Sequence, residues 1–475
     1  MIETAWKWSF DGWIVAAGVL CAVASSLLGC FLLLRRMSLL GDAISHAVLP
    51  GLAAAFLISG SRSSIWMFVG AVLVGILTAL LSDWIHSRGQ VDEGASMGVV
   101  FTTLFAGGLL MIVVAADRVD LDPGCVLYGA IEQTPWDQWD IRIPGVGSAK
   151  IPRVVAVLSV VTLINALFVG LFFKELKIST FDPALATASG FSATLIHYVL
   201  MTLVAITAVA SFESVGNILV VAMLIVPPST AYLLTNRLSV MVWLACLIGA
   251  ASAVVGHLGA LHVPTWFGFR STTTAGMMAV ASGLAFLLAF LFAPQQGVVP
   301  ALVRRQWLRW SILTDDVLTL LYRLDESADG DHAIPLRKPW TEMHASAIDW
   351  IAETLLTNPA ATRMAIRFHQ WRKRVEPNHS TSTSDQADPS DLPHLTELGR
   401  REAETIVRSH RLWEQYLVTR FEVEDKRLHQ TAHTLEHFTD RDLQDQLDEQ
   451  TDSPSTDPHG RPIPEAGPSR ATGTN

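Results

Sequence analysis

The chain has 475 residues, half of them hydrophobic and only 16% charged, and its formal net charge is −10. Residues 1–300 carry 13 of the 34 Lys and Arg and 15 of the 44 acidic residues, while the remaining 175 residues carry 21 and 29. Neither part has the basic surplus that is typical of nucleic-acid-binding proteins. The four cysteines suggest no disulfide framework and no thiolate zinc site.

Apolar segments long enough to cross a bilayer recur through the first 300 residues. We predict nine spans, near 13–35, 42–59, 64–84, 94–115, 153–173, 193–212, 215–236, 238–260 and 273–294. The first is too long and too poorly flanked to be a cleaved signal peptide. Basic residues near the span ends share one side if the spans number nine, and that side is the cytoplasm. The sequence therefore predicts a multi-pass protein of the cytoplasmic membrane whose C-terminal part is cytoplasmic.

The second span opens with an acid and a histidine four residues apart, Asp42 and His46. On a helix both side chains point the same way. Ionisable residues inside a membrane segment mostly face a cavity or a pathway, and imidazole with carboxylate suits zinc, manganese or iron. The alternative is a buried polar pair that only holds helices together. Pro50 and Gly51 follow, and we expect the proline to bend the helix there.

Two further features of the membrane part are predicted from prolines. Pro227 and Pro228 are expected to break the seventh span at mid-depth. In the loop before the sixth span, Asp182 and Pro183 read as the N-cap and first position of a short helix that Gly190 ends. Such a capped helix suits docking of another subunit, and an interfacial helix without a partner is the alternative.

The stretches RRMSLLGDAISHAVLPG, STFDPALATASG and VGNILVVAMLIVPPSTAYLL together resemble the membrane subunit of the metal-cation ABC importers, the zinc/manganese/iron permease family. The resemblance covers residues 10–295. It implies a homodimeric permease with two cytoplasmic ATPases and an extracytoplasmic solute-binding protein. It also implies that Asp42 and His46 bind the transported metal. The coupling loop to the ATPase would comprise Phe181, Asp182, Pro183, Leu185 and Gly190. Because the chain contains no GxxxxGK[ST] phosphate-binding loop, ATP would be hydrolysed by a separate polypeptide.

The last 175 residues predict a helical cytoplasmic region. Apolar residues recur at helical spacing over 315–326, and further helices are expected near 343–357, 359–374 and 396–449. We divide the chain into a permease domain (1–298), a basic linker (299–312), a degenerate winged-helix-like region (313–375), a polar linker (376–392), a helical metal-binding and dimerisation domain (393–464) and a disordered tail (465–475). The predicted fold class is all-α throughout.

Histidines cluster in this region. His410 and Glu414 are four residues apart, and another helix carries His429, His433, Glu436 and His437 on one face. A solvated polar face is the alternative to a metal site. The runs LTELGRREAETIVRSHRLWEQYL, LHQTAHTLEHFTD and SPSTDPHGRPIP resemble the iron-dependent repressors. This second resemblance implies one site of His410, Glu414 and His429. It implies another of Asp316, His433, Glu436 and His437.

DNA binding is less well supported by the sequence. The predicted helix from Pro359 carries Arg363, Arg367 and Arg372 at positions that suit phosphate contacts. The Ser/Thr/Asp-rich stretch that follows has the wrong charge for a DNA-binding wing, so we do not expect DNA as a partner. The sequence thus predicts a divalent-metal permease with a fused metal-sensing domain. A membrane-tethered, metal-dependent transcription regulator is the alternative, and the Asp42/His46 pair disfavours an efflux or cobalamin-type permease.

Overall fold

The computed structural model describes residues 6–59, 64–116, 131–143, 147–268, 272–329, 347–376, 392–421 and 425–465. The chain divides into two compact units, Met1–Ala301 and Leu302–Asn475. Most of the predicted polar linker and the predicted tail after residue 465 lie outside the described residues.

The first unit is a bundle of long apolar helices. Its helices are α1 Trp8–Leu34, α2 Leu40–Ser59, α3 Ser64–Gly89, α4 Glu93–Ala116, α5 Arg153–Leu171, α6 Phe173–Phe181, α7 Pro183–Ala188, α8 Ala193–Val215, α9 Asn217–Leu234, α10 Leu238–Trp266 and α11 Thr274–Phe292. Among the described residues, nine of these are long and apolar enough to cross a membrane, which confirms the predicted nine spans. One short antiparallel hairpin, β1 Gln138–Ile143 with β2 Gly147–Pro152, departs from the all-α prediction.

Helix α1 lies at the centre of the first unit, packed against α5, α8, α9 and α10. Cys21, Leu28 and Phe31 of α1 are fully buried. The close approach of α1 to α9 depends on Gly29 of α1, because a Cβ at this position would lie 2.1 Å from the carbonyl oxygen of Leu224 in α9. A larger residue at 29 would therefore separate the two helices.

The prediction that the seventh span breaks at Pro227 and Pro228 is wrong, because α9 runs through both prolines. A proline at 227 leaves the carbonyl of Met223 without its helical donor. The hydroxyl of Ser26 in α1 donates to that carbonyl at 3.3 Å. The donor that proline removes is thus supplied by the neighbouring helix, as is common in membrane bundles.

Helix α2 also continues through its proline, Pro50. Its backbone lies against α3, since a Cβ on Gly51 would lie 2.4 Å from the carbonyl oxygen of Gly70. On another side, a Cβ on Gly108 of α4 would lie 2.6 Å from Cδ of Pro50. Small residues therefore let α2, α3 and α4 pack closely around the segment that carries Asp42 and His46.

The described residues of the second unit are mostly helical and form two apolar clusters. Its helices are α12 Val298–Asp329, which begins before the division between the units, α13 Ala347–Thr354, α14 Pro359–Trp371, α15 Glu397–Phe421, α16 Asp425–Glu436 and α17 Arg441–Gln450. Val317 and Leu321 of α12 pack in one cluster with Ile351 of α13 and Ile366 of α14. Val375 pairs with Leu395 in an isolated antiparallel bridge. A second cluster joins α15 and α17 to the segment after α17.

Candidate metal centres

The first candidate centre is the Asp42/His46 pair on α2. Nε2 of His46 lies 3.5 Å from Oδ1 of Asp42, so the two side chains share one face of the helix as their spacing predicts. Their side chains are 33% and 43% exposed, respectively, in this single chain. The His46 ring lies 5.7 Å from the ring of Phe101 in α4, measured between centroids. The pair can offer one imidazole and one carboxylate to a cation.

The loop that precedes the sixth span forms the predicted capped helix, α7. The backbone N–H of Leu185 donates to Oδ1 of Asp182 at 2.9 Å, so Asp182 is the N-cap and Pro183 the first helical residue. Gly190 has φ +87°, a left-handed conformation that favours glycine. Phe181 and Leu185 are 63% and 53% exposed. Two large apolar side chains are thus exposed, Leu185 on this short helix and Phe181 at the end of the helix before it.

The second unit brings together the first predicted set of three ligands. Nε2 of His410 lies 2.8 Å from Oε1 of Glu414, one turn further along α15. Nδ1 of His429, on α16, pairs with the same carboxylate oxygen. The three ligand atoms lie within 4.8 Å of one another. One ion could therefore contact both helices through these three residues.

The second predicted set of four also converges, from α12 and from the end of α16. Nδ1 of His433 lies 2.7 Å from Oε1 of Glu436. Nε2 of His437 lies 3.3 Å from Oδ1 of Asp316 on α12. One ligand atom from each of these four residues falls within 4.8 Å of the others. Two imidazoles and two carboxylates form a donor set that suits first-row divalent metals.

Burial and pairing shift the protonation of these groups. Burial alone would raise the pKa of Glu414, but hydrogen bonds and charges from His410 and His429 outweigh it and lower the pKa. Burial likewise opposes charge on Glu436, and pairing with His410 and His433 lowers its pKa. Both carboxylates therefore stay ionised, as metal ligands must be.

The pKa values of two histidines in these centres, His410 and His437, are raised. Burial lowers the pKa of His437, but the carboxylates of Asp315 and Asp316 beside its ring raise it above the usual range. The pKa of His410 is also raised, because Glu414 and Glu436 outweigh the effect of burial. A metal ion would displace these protons and supply the positive charge in their place.

Several buried polar atoms in these two clusters make no hydrogen bond within the described residues: Oδ1 of Asp316, Oε2 of Glu414 and both ring nitrogens of His437. Leaving a buried polar atom unsatisfied costs about 1–3 kcal/mol. A divalent cation held by these atoms would satisfy them. The residues present thus fit the predicted cation in number, type and orientation.

Sequence reasoning missed two residues beside these centres. Asp315 lies 3.6 Å from Nδ1 of His437 through its Oδ2. The ring of His459, in the segment after α17, stacks on the ring of His429 with centroids 4.8 Å apart. His459 lies in the run DPHGRPIP, which is part of the resemblance to the iron-dependent repressors. This resemblance could have pointed to His459. For Asp315 the only signal was its position next to Asp316.

Comparison with known proteins gives two family matches on this chain. Residues 9–141 and 147–293 match the ABC 3 transport family. Residues 396–465 match the iron dependent repressor, metal binding and dimerisation domain. The chain therefore belongs to the ABC 3 transport family and carries a repressor-type metal-binding and dimerisation domain at its C-terminal end. Both resemblances predicted from the motifs are confirmed.

Individual relatives agree with this assignment. The manganese transport system membrane protein MntD of Bacillus subtilis is 45% identical over 296 residues, which is 62% of this chain and 96% of that protein. The zinc transport system membrane protein TroD of Treponema pallidum is 39% identical over 311 residues, covering 66% and 81%. The structure of PsaBC from Streptococcus pneumoniae in complex with Fab is 31% identical, with a TM-score of 0.48 over 60% of this chain and 92% of that one. The family match and the nine apolar helices of the described residues together show a multi-pass membrane protein.

Proposed function

We propose that this chain is the permease subunit of an ATP-driven importer of a divalent metal ion, manganese, zinc or iron. The observation that carries the proposal is the Asp42/His46 pair, which lies on one face of α2 inside the unit that matches the transport family. Its imidazole and carboxylate are ligand types that these metals share. Relatives named for manganese and zinc transport support the substrate class.

The proposed partners follow from the same unit. Two copies of the chain would form the path, with two ATPase subunits on the cytoplasmic side and a metal-binding protein outside. The exposed Phe181 at the end of α6 and the exposed Leu185 on the capped α7 suit insertion into a groove of the ATPase. ATP hydrolysis is assigned to that separate subunit, because this sequence has no phosphate-binding loop.

The second unit is proposed to bind two divalent ions in the cytoplasm and to report their concentration to the permease. The two ligand clusters and their unsatisfied buried atoms support binding. The cytoplasmic location rests on nine spans and on the basic residues near their ends. We infer that metal binding to the second unit inhibits transport, because metal already inside the cell would then close the importer.

A membrane-tethered transcription regulator is the second candidate. It is favoured by α14, whose Arg363 and Arg367 are exposed, and by the bridge between Val375 and Leu395, which lies where a wing would begin. It is disfavoured by the net charge of −8 over the last 175 residues, which repels DNA. Sequence-specific binding of DNA by the full chain would support this candidate.

The deciding experiment is uptake. Cells lacking other importers would express this chain with an ABC ATPase and a metal-binding protein from its own genome, and accumulation of radioactive Mn²⁺ would be followed. We expect uptake that stops when ATP is depleted, and competition by Zn²⁺ and Fe²⁺ would rank the substrates. Absence of ATP-dependent uptake of all three metals would refute the proposal.

A further inference from the structure

Arg35 stands at the junction between the central helix and the helix of the metal pair. It is the C-cap of α1, and α2 begins five residues later at Leu40. The intervening turn is tightly bonded: the N–H of Met37 donates to the carbonyl of Leu32 at 2.9 Å, and the N–H of Leu40 donates to that of Met37 at 3.1 Å. A displacement of Arg35 would therefore pass into α2 rather than be absorbed by a loose loop.

The guanidinium of Arg35 is bonded to α6, the helix directly before the ATPase-docking helix α7. Its Nη2 donates to Oγ of Ser179 at 2.9 Å, and its Nε donates to Oγ1 of Thr180 at 3.2 Å. Asp182 is at once the C-cap of α6 and the N-cap of α7. Only one residue thus separates the bonded helix from the proposed docking helix.

The third nitrogen of the same guanidinium reaches α8. Nη1 of Arg35 lies 3.0 Å from Nδ1 of His197. Because arginine only donates, Nδ1 must accept and the imidazole carries its proton on Nε2. Nε2 faces Oδ1 of Asp83 on α3 at 3.5 Å, and the hydroxyl of Tyr198 donates to Oδ2 of Asp83 at 3.0 Å. The Arg35 side chain is half-buried and links the end of α1 to α6 and α8, and His197 and Tyr198 of α8 extend the network to Asp83 of α3.

We propose that Arg35 is a positioning residue that transmits movement of the ATPase-docking loop to the helix of Asp42 and His46. The inference rests on the proposed function, since it assumes that α7 docks on the ATPase and that the pair binds the transported metal. The Asp42/His46 pair begins seven residues after Arg35, and Ser179 precedes α7 by four. Arg35 itself belongs to the turn that opens α2, and its side chain bonds to α6.

Arginine suits this role for a geometric reason. Its planar fork presents Nε, Nη1 and Nη2 at fixed angles, so three acceptors on two helices can be held at once. Lysine offers one compact ammonium on a flexible stem and could not keep the three acceptors in register. Both Arg35→Gln and Arg35→Lys should therefore loosen the link between the docking loop and α2.

The test measures how much metal moves per ATP hydrolysed. The complete complex, with the co-purified ATPase and metal-binding protein, would be reconstituted in liposomes, and Mn²⁺ uptake and ATP hydrolysis would be followed together. For Arg35→Gln we expect Mn²⁺ moved per ATP to fall by about tenfold, the scale of ordinary coupling free energies. ATPase co-purification and the rate of ATP hydrolysis should stay within about twofold of wild type. Arg36→Gln, which removes the same charge from the neighbouring exposed residue, should leave the ratio unchanged.

A second variant removes the hydrogen-bond partners of Arg35 on α6 and leaves Arg35 itself in place. Ser179→Ala with Thr180→Val removes both acceptors on α6, and it should lower the ratio in the same direction. Combining it with Arg35→Gln should add little, because both changes break one link. An unchanged ratio in Arg35→Gln, or in the Ser179/Thr180 variant should Arg35→Gln not reach the membrane, would overturn the inference. Loss of uptake by the wild-type complex would instead refute the proposed function.

Discussion

Glu436 pairs with His410 across the gap between the two candidate metal centres of the second unit. Its Oε2 lies 2.6 Å from Nδ1 of His410, and its Oε1 lies 2.7 Å from Nδ1 of His433. The carboxylate is almost fully buried, at 4% exposure. This one side chain therefore contacts His410 of the first centre and His433 of the second. We expect a change in the ligands of one centre to alter the metal affinity of the other.

The first prediction follows from this shared carboxylate. Glu436→Gln keeps the shape of the side chain but removes its charge, so both centres should lose affinity for Mn²⁺, each by about 10–100-fold. Titration of the full chain in detergent, followed by metal analysis, should show two ions bound by the second unit of wild type, in addition to metal held by the Asp42/His46 pair. Glu449→Gln, an exposed change on α17, is the matched control and should bind like wild type. Loss at only one centre would contradict the shared role.

The second prediction concerns the membrane pair. Asp42→Ala and His46→Ala should each abolish metal uptake, because each removes one of the two ligand types that the pair offers on the path. The amount of protein in the membrane should not change. Ser45→Ala is the control on the same helix, since its hydroxyl only donates to the backbone carbonyl of Asp42 at 2.6 Å. Normal uptake in both alanine variants would reduce the pair to a helix-packing contact.

Local features of the fold were predictable from the sequence, and features that need a partner helix were not. Asp182 and Pro183 cap α7 as predicted, because a cap needs only residues close along the chain. Pro227 was misread, because the donor that replaces its missing N–H comes from Ser26, nearly two hundred residues away. The bonds of Arg35 to Ser179 and Thr180 of α6 were hidden for the same reason, because 144 and 145 residues separate the partners.

Among the candidate sites, the ligand types were predictable and their mutual contacts were not. Helical spacing placed His433 and His437 on one face, but it could not show that Asp316 of α12 faces them. That residue entered only through the resemblance to the repressors. The link between His410 and Glu436 joins two helices, so no periodicity within either helix could reveal it.

The third prediction concerns docking of the ATPase. Phe181→Asp with Leu185→Asp places two charges on the proposed docking loop, one at the end of α6 and one on α7, where an apolar contact is proposed. Co-purification of the ATPase and ATP-driven uptake should both be lost, because burying an unpaired charge costs several kcal/mol. Lys174→Ala with Lys177→Ala on the preceding helix α6 is the control and should retain both activities. Survival of both in the aspartate variant would place the docking loop elsewhere.

The fourth prediction is a pH dependence in the second unit. His369 of α14 is fully buried, and its Nε2–H donates to the carbonyl of Thr314 at 2.9 Å. Burial, helped by the charge of Arg374, lowers the pKa of His369 to about 4. The unfolded chain, with a pKa near 6.5, therefore binds more protons between these values. Stability is fully present above pH 6.5 and falls as the pH drops towards 4.

Between pH 8 and pH 5 the loss from this one group is about 2 kcal/mol. Hydrogen exchange of the α14 backbone in the full chain should report it. His369→Gln keeps a donor for the Thr314 carbonyl but cannot take up a proton, so its α14 should be less sensitive to acid than that of wild type. An equal change in both proteins would show that His369 takes up its proton in the folded state as readily as in the unfolded state.

The last prediction is feedback on transport. Metal bound by Asp316, His433 and His437 would tie α12 to the end of α16, and α12 begins at Val298, shortly after the last span ends at Phe292. The bound metal can shift the permease only by its difference in affinity for the two arrangements, commonly about 1–3 kcal/mol. Such a difference is enough to slow uptake by about tenfold.

Proteoliposomes with Mn²⁺ added on the ATP side test this feedback. Wild-type uptake should slow as that Mn²⁺ rises, because filled sites favour the closed arrangement. The variant His433→Ala/Glu436→Ala/His437→Ala should keep its rate, since it cannot fill the second centre. Gln430→Ala/Thr434→Ala, two exposed changes on the same helix α16, should respond like wild type. Equal rates for wild type and the triple variant at every Mn²⁺ level would leave the second unit as a metal store without control over the importer.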